Sequence, residues 1–312
     1  MLFLYILLII ILCLVLIKGA NITTKALIFI ANYFKLPKFT IAFLLAGAAT
    51  SLPEMIIGIS SGLHHSSNLT LGNILGANIV DITLVLGLII ILAKGLRSDQ
   101  KIVETNTFLT IILTILPLIL LLDGVLSRIE GLILIFLFIF YVFMMLRKKE
   151  KFEEINETVE KKNLAKNILW FITGIIILIL SAEAIVKISS IITVKLNIQL
   201  MIIGLLILAL GTTLPELAFN AQASKLENKE MVLGNILGSL TFNSTFILGL
   251  TSVISPIVIE NQKTFLISAC FLVISLFIYM LFSRTNKKIT PKEGVILIFI
   301  YLLFFCSQIL IK

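Results

Sequence analysis

The residues Thr-Ser-Leu-Pro-Glu at positions 50–54 recur as Thr-Thr-Leu-Pro-Glu at positions 212–216. The hexapeptide Leu-Gly-Asn-Ile-Leu-Gly follows each copy at the same distance, at positions 71–76 and 233–238. The surrounding 39 positions align without a gap at a constant offset of 162, and 11 of them are identical. Apolar composition alone explains matching Leu and Ile residues, but not Pro, Glu, Gly and Asn in register. The chain therefore contains an internal duplication.

The composition around this duplication is that of a membrane protein. Of the 312 residues, 59% are hydrophobic and 13% are charged, and the mean hydropathy is +1.14. Soluble domains carry about 25% charged residues. Apolar runs such as 108–122 and 131–146 approach the roughly 20 residues that a membrane-spanning helix needs. Helices are favoured over a barrel, whose strands alternate apolar and polar residues. The N-terminal run 2–17 is interpreted as a span rather than a cleaved signal.

Ten apolar segments are predicted to cross the membrane. They cover residues 2–18, 38–63, 70–94, 103–122, 126–146, 166–186, 197–224, 230–254, 264–283 and 293–311. Residues 20–37 are amphipathic and are expected either to extend the first helix or to lie at the membrane interface.

A polar segment divides these spans into two halves of five. It is predicted to be a cytoplasmic linker over residues 147–165, between a first half, 1–146, and a second half, 166–312. The repeats lie in the second and third spans of their halves, near 38–94 and 197–254. Because five is odd, the second copy enters the membrane from the opposite side, and inverted repeats are a recurrent plan of secondary transporters. The predicted fold is an all-α membrane protein with ten transmembrane helices in two inverted five-helix repeats.

The distribution of basic residues predicts the orientation. If the N-terminus is outside, 20 of the 25 Lys and Arg residues fall on the cytoplasmic side, in agreement with the positive-inside rule. Ten crossings then place the C-terminus outside as well, in a multi-pass protein of the cell membrane. The net charge of +8 follows from this bias, so the lipid bilayer is an expected partner and a nucleic acid is not.

Four acidic residues lie deep in the predicted spans: Glu54, Asp81, Glu183 and Glu216. An ionisable residue at the centre of a membrane helix costs at least ~2.5–3.5 kcal/mol, so it indicates a function by default. Glu183 is instead expected to pair with Lys187, four residues further on. The other three acids are predicted to bind the transported ion.

Backbone and hydroxyl oxygens stand near the two glutamates of the Leu-Pro-Glu motifs. A proline has no backbone N–H, so a carbonyl one turn earlier loses its hydrogen-bond donor. This is predicted to free the carbonyls around Gly47 and Ala209 as ion ligands. Thr50 and Thr212 lie four residues before the glutamates and therefore share their helix face.

A second polar position follows each Gly-Asn-Ile-Leu-Gly motif by five residues. It is Asp81 in the first repeat and Asn243 in the second, each four residues after a small residue, Ala77 or Ser239. The repeats thus direct carboxylates, a carboxamide, hydroxyls and carbonyls at one place. Calcium takes 6–8 such hard oxygen ligands, and a set without His or Cys disfavours soft metals. The remaining motif asparagines are expected to form hydrogen bonds between helices: Asn73, Asn78 and Asn235.

These motifs resemble the α-repeats of the cation/calcium antiporter superfamily, in particular those of the prokaryotic sodium/calcium exchangers. The hallmark there is Gly-Thr-Ser-Leu-Pro-Glu followed by Gly-Asn-x-x-Gly-Ser-Asn. Residues 49–54 and 72–78 are similar to it in the first repeat, and residues 211–216 and 234–239 in the second. The predicted ten spans and external termini are similar to that family as well.

Two departures from the family pattern lie in the second motif. The family carries Asn in the first repeat and Asp in the second, whereas here Asp81 and Asn243 are reversed. Ala77 also stands where a serine is usual, which removes one hydroxyl from an implied sodium site.

The resemblance implies a function and a set of ligands. It implies exchange of several sodium ions for each calcium ion, without a further cofactor. The implied central calcium site consists of Glu54, Glu216 and the carbonyls of Thr50 and Thr212. The implied flanking sodium sites use the side chains of Ser51, Thr213 and Ser239 and the carbonyls of Gly47 and Ala209.

Two rival functions remain open. A proton-coupled exchanger of calcium or another divalent cation is one, because buried carboxylates carry protons as readily as sodium. A calcium-permeable channel is the other, although channels are usually built from several subunits around one pore. No HExxH, GxSxG or P-loop motif indicates an enzyme or an ATP-driven pump. The sequence leaves the oligomeric state open, a monomer included.

Overall fold

In the computed structural model the protein is almost entirely helical, and the structure describes residues 2–33, 47–97, 101–147, 164–196, 199–225, 229–284 and 288–310. The helices of the first half are α1 (Leu2–Tyr33), α2 (Gly47–Thr50), α3 (Leu52–Leu63), α4 (Ser67–Val80), α5 (Leu86–Leu92), α6 (Lys101–Leu120) and α7 (Arg128–Arg147). Those of the second half are α8 (Leu164–Leu196), α9 (Leu200–Ile203), α10 (Ala209–Thr212), α11 (Leu214–Lys225), α12 (Lys229–Thr241), α13 (Leu248–Ile254), α14 (Gln262–Arg284) and α15 (Pro291–Leu310).

Short irregular elements join these helices. Three π-helical segments continue one helix into the next: π1 (Asp81–Val85) between α4 and α5, π2 (Gly204–Leu208) between α9 and α10, and π3 (Phe242–Ile247) between α12 and α13. A 3-10 turn, Leu121–Asp123, follows α6. The two-residue strands are β1 (Leu96–Arg97), β2 (Val125–Leu126), β3 (Ile257–Val258) and β4 (Lys288–Ile289).

Seven of the described stretches are long and apolar enough to cross a membrane, judged by length and composition. They are Ser67–Leu92, Arg128–Met145, Leu164–Ile192, Leu200–Ala221, Val232–Ile254, Gln262–Arg284 and Pro291–Leu310. Shorter apolar helices cover Leu7–Thr23, Leu52–Leu63 and Thr107–Asp123. The protein is a multi-pass helical membrane protein. The count of ten spans stays a prediction, since residues 34–46 and most of the linker lie outside the described residues.

The two longest helices, α1 and α8, extend well beyond the predicted spans 2–18 and 166–186. They pack against each other along their length. Gly19 and Gly174 allow this approach, because a Cβ on Gly19 would lie 3.3 Å from the carbonyl oxygen of Gly174. Packing against a partner helix thus sustains helical structure past the apolar run that defined each predicted span.

The two halves contact each other in equivalent ways. β1 pairs antiparallel with β4, and β2 with β3, so each pair joins the halves. α5 packs on α15, and α13 packs on α7. A Cβ on Gly87 would lie 2.7 Å from the carbonyl oxygen of Gly294, and one on Gly249 would lie 2.8 Å from that of Gly131. Gly87 and Gly249 are one repeat offset apart, so the duplication seen in the sequence recurs in the contacts.

Apolar side chains form two cores, and the repeat helices contribute to both. One core involves α4 to α7 and α12 to α15, and the other lies between α1, α3 and α8. Large apolar side chains also point outward, among them Phe136, Leu180 and Phe277. An outward apolar surface is expected of helices that face lipid.

The closest packing in the repeats brings α4 onto α9 and π2. A Cβ on Gly76 would lie 2.6 Å from the carbonyl oxygen of Leu205, and one on Gly72 would collide with the backbone of Met201. Small residues permit such backbone approach between membrane helices. Any side chain at these glycines must therefore push two helices apart.

We expect Gly72→Ala to destabilise the protein, because a methyl group there meets backbone that cannot rotate away. Overpacking of this kind costs about 1–3 kcal/mol. Gly62→Ala is the matched control, since its Cβ would meet the Ile254 side chain at 3.1 Å and backbone no closer than the Thr251 carbonyl oxygen at 3.5 Å. Thermal unfolding in detergent measures both variants. Equal melting temperatures for Gly72→Ala and the unaltered protein would contradict this packing.

Candidate ion-binding site

Both Leu-Pro-Glu motifs begin a new helix. The backbone turns at Ser51 (φ −84°, ψ 11°) between α2 and α3, and at Thr213 (φ −83°, ψ −1°) between α10 and α11. A proline in the first turn fits a helix start, since its missing N–H has no partner to lose there. The following glutamates, Glu54 and Glu216, therefore lie in the first turns of α3 and α11. The positive end of a helix dipole favours a carboxylate at that position.

The two glutamates are buried side by side with almost no compensation. Their side chains are 0% and 1% exposed. The Ser51 hydroxyl donates a hydrogen bond to Oε1 of Glu216 at 3.4 Å, so the first repeat contacts the carboxylate of the second. Within the described part of the chain, both oxygens of Glu54 and Oε2 of Glu216 have no hydrogen-bond partner of regular geometry. A buried carboxylate in this condition either takes up a proton or binds a cation that balances its charge.

The prolines do not free the carbonyls of Gly47 and Ala209 as predicted, whereas the binding of an ion by these carbonyls stays a prediction. The Gly47 carbonyl accepts hydrogen bonds from the Ser51 N–H and the Thr50 hydroxyl, both at 3.1 Å. The Ala209 carbonyl accepts them from the N–H and the hydroxyl of Thr213, at 3.1 and 2.8 Å. A proline removes the bond to the residue four positions earlier. That position holds Ala49 in one repeat and Gly211 in the other, two residues beyond the predicted carbonyls.

The two threonines of the motifs bridge the repeats symmetrically. Thr50 accepts a hydrogen bond from the Asn235 side chain at 3.2 Å, and Thr212 donates one to the Asn73 side chain at 3.2 Å. Each bond joins the threonine of one repeat to the motif asparagine of the other. The prediction that Asn73 and Asn235 form interhelical hydrogen bonds is confirmed. The Ser239 hydroxyl lies 3.5 Å from that of Thr50.

A second polar layer contains Asp81 and Asn243. Asp81 opens π1 and Asn243 is the second residue of π3, and both are fully buried. π-helical turns are frequent at functional sites. The Asn243 amide donates to the side-chain oxygen of Asn78 at 3.2 Å, and Asn78 donates to the Ser244 hydroxyl at 2.7 Å. Among the described residues, neither carboxylate oxygen of Asp81 has a hydrogen-bond partner.

The prediction that Asn78 forms hydrogen bonds between helices is also confirmed, through its contacts with Asn243 and Ser244. Two residues of this region escaped the sequence prediction: Ser244, and Asn220, which donates to Asn235 at 2.9 Å. Their only signal in the sequence is a polar residue within an apolar span, because the equivalents in the other repeat are Ile82 and Gly58. A comparison of equivalent positions in the two repeats does not detect polar residues that occur in one repeat only.

The three buried carboxylates form a region of negative potential. Glu54, Asp81 and Glu216 are close enough for their charges to repel one another. The ion pairs found among the described residues do not involve them. Nor do any three His, Cys, Asp or Glu side chains there converge closely enough to hold a metal by themselves. An ion at this place would complete its coordination with hydroxyl, amide and backbone oxygens.

Glu183 stands apart from this group. Its carboxylate accepts a hydrogen bond from Ser60 at 2.9 Å and lies 3.9 Å from the Lys187 ammonium and 3.5 Å from a ring nitrogen of His64. Its side chain is 32% exposed. The predicted pairing of Glu183 with Lys187 is confirmed.

A multi-pass helical protein with unpaired carboxylates buried between duplicated helices has the architecture of a secondary ion transporter. Residues 4–147 and 166–310 match the family model described as sodium/calcium exchanger protein. The chain belongs to this family. Its members are membrane transporters, so the protein is not an enzyme.

Individual relatives cover nearly the whole chain. Sodium/calcium exchanger MaX1 of Methanosarcina acetivorans is 24% identical, over 93% of this chain and 94% of its own length. Inner membrane protein YrbG of Escherichia coli is 27% identical, over 89% of this chain and 90% of its own. The solved structure of the sodium-calcium exchanger NCX_Mj, soaked with 2.5 mM Na⁺ and 10 mM Sr²⁺, matches with a TM-score of 0.70 and 27% identity. That match covers 98% of this chain and 99% of the other.

Proposed function

We propose that the protein is a secondary active antiporter that exchanges calcium for sodium by alternating access. The observation that carries the proposal is the pair Glu54 and Glu216. They occupy equivalent positions in the two repeats, start equivalent helices, and are buried with three of their four oxygens unpartnered among the described residues. A divalent cation between two such carboxylates neutralises both charges at once. The family membership and the NCX_Mj likeness support calcium and sodium as the ions.

The proposed architecture is ten transmembrane helices in two inverted halves. The first half comprises residues 1–146 and the second 166–312, joined by the cytoplasmic linker 147–165, with both termini outside the cell membrane. The equivalent strand pairs and glycine contacts between the halves support this arrangement. Two related halves can exchange conformations, which exposes one site alternately to the two sides of the membrane.

The proposed ligands divide into a calcium set and a sodium set. Calcium binds to Glu54, Glu216 and the backbone carbonyls of Thr50 and Thr212, with Asp81 and Asn243 contributing charge and an amide oxygen. Sodium binds beside it at Ser51, Thr213 and Ser239 and at the carbonyls of Gly47 and Ala209. Because these two carbonyls accept hydrogen bonds from threonine hydroxyls, a sodium ion there competes with Thr50 or Thr213 for the carbonyl oxygen.

Calcium uptake into proteoliposomes tests the coupling. With sodium loaded inside and absent outside, we expect calcium to enter, and sodium-free or protein-free vesicles to take up only background. If three sodium ions leave per calcium ion, one net positive charge leaves, so an inside-positive potential should accelerate uptake. Uptake driven equally well by a pH gradient without sodium would contradict sodium coupling and favour the proton-coupled exchanger.

A further inference from the structure

The Asn78 side chain is held between two consecutive residues of the opposite repeat. Asn78 lies in the last turn of α4 and is 1% exposed. Its oxygen accepts a hydrogen bond from the Asn243 amide at 3.2 Å, and its amide donates to the Ser244 hydroxyl at 2.7 Å. A single side chain thus connects α4 to π3 through two polar contacts in the interior.

This bridge has no counterpart in the other repeat. At the offset of 162, Asn78 corresponds to Leu240 and Ser244 to Ile82, and both are fully buried apolar residues. Leucine and isoleucine therefore satisfy the packing at these places in the fold. Polar residues there require another reason, since a buried polar pair contributes less to stability than well-packed apolar side chains of the same shape.

The bridge determines which end of the Asn243 amide is available. The amide nitrogen is engaged by Asn78, whereas Oδ1 of Asn243 is buried without a hydrogen-bond partner in the described part of the chain. The two ends carry opposite partial charges, and only the oxygen attracts a cation. If the bridge were absent, the amide could rotate and present its N–H groups to the ion instead.

We propose that Asn78, anchored by Ser244, is a positioning residue that keeps the side-chain oxygen of Asn243 available to calcium. The inference rests on the proposed function of the same site. It also explains why an amide can serve at position 243, where the related family has a carboxylate. Both terminal atoms of a carboxylate are oxygens, so a carboxylate needs no such positioning. Asn78 does not itself contact the ion.

Calcium-dependent thermal stabilisation of the purified protein separates positioning from packing. A ligand that binds only the folded state raises the melting temperature according to its dissociation constant. We expect Asn78→Leu to raise the apparent calcium dissociation constant about tenfold, as loss of one oriented oxygen contact predicts. Its melting temperature without calcium should fall, as in any variant that leaves buried polar partners unpaired, because the Asn243 amide and the Ser244 hydroxyl lose their contact. Ser244→Ala should give a smaller weakening, about threefold.

Asn68→Leu is the matched control, also a buried asparagine of α4 that contacts the second half. Its amide donates to the Val258 carbonyl at 2.7 Å, and its oxygen accepts from the Glu260 N–H at 3.4 Å. These bonds lie far along the helix from Asn243. We expect Asn68→Leu to lower the calcium-free melting temperature and to leave the calcium dissociation constant unchanged.

The outcomes distinguish this inference from the proposed function. If calcium stabilises the unaltered protein and Asn78→Leu shows the same calcium dependence, the positioning role is overturned and the proposed function stands. If Asn78→Leu fails to fold, an unchanged dissociation constant in Ser244→Ala overturns the role. If calcium does not stabilise the unaltered protein at any concentration, both are overturned.

Discussion

Replacing either central glutamate by glutamine, Glu54→Gln or Glu216→Gln, is expected to abolish calcium exchange while the protein remains folded in the membrane. Each substitution removes a full charge from a buried site where the two carboxylates together balance one divalent ion. Loss of one partner of a buried charge pair costs about 3–5 kcal/mol, which corresponds to roughly 10²- to 10⁴-fold in affinity. In the absence of ions the same variants should be at least as stable as the unaltered protein. The carboxylates of Glu54, Asp81 and Glu216 repel one another, and each substitution removes one of these charges.

Glu183→Gln is the control for this effect. The substitution is chemically identical and lies in a membrane helix, but Glu183 already has Ser60 and Lys187 as partners. We expect calcium flux in Glu183→Gln vesicles to stay near that of the unaltered protein. Flux should be measured after quantifying inserted protein in each sample. Near-normal transport by Glu54→Gln or Glu216→Gln would mean that calcium crosses elsewhere.

The second large effect concerns the reversed pair Asp81 and Asn243. If the polar layer needs one carboxylate and either repeat can supply it, Asp81→Asn should impair exchange strongly. The site then keeps two carboxylates instead of three. The double variant Asp81→Asn with Asn243→Asp should recover much of the lost activity. The Asn78 side chain can also support a carboxylate at position 243. If the Asn78 amide rotates by half a turn, its N–H groups donate to the new carboxylate, and the Ser244 hydroxyl donates to the Asn78 oxygen.

Asn243→Asp alone should make exchange more sensitive to pH. It adds a fourth buried carboxylate to a group that already repels, and protonation relieves such repulsion. Sodium-dependent calcium flux of all four proteins, measured at two pH values, tests both parts. A double variant as inactive as Asp81→Asn would show that Asp81 has a role that position 243 cannot assume.

The sequence predicted the features that repetition or composition makes visible. The helical membrane class follows from the apolar runs, and the separation of Glu183 from the other acids follows from Lys187. The equivalent placement of Glu54 and Glu216 follows from the repeated Leu-Pro-Glu motif. In each case the determinant is local in the chain, so no knowledge of tertiary contacts was needed.

The features that sequence reasoning missed depend on contacts between distant residues. The carbonyls of Gly47 and Ala209 are an exception, because the N–H groups and threonine hydroxyls that engage them lie only three or four residues further along the chain. The extension of α8 beyond residue 186 depends on its packing against α1. The hydrogen bonding of Asn78 between helices was predicted, but its partners Asn243 and Ser244 were not, because residue 244 has an apolar equivalent in the other repeat. The π segments at Asp81 and Asn243 likewise leave no mark in the apolar pattern.

The location of calcium in a structure determined with that ion bound tests the central claim most directly. We expect one calcium ion within about 2.3–2.6 Å of carboxylate oxygens from both Glu54 and Glu216, so that each repeat supplies a ligand. The same preparation of Glu54→Gln should show no ion there at the same calcium concentration. Calcium bound by residues of one repeat only, or away from both glutamates, would contradict the account.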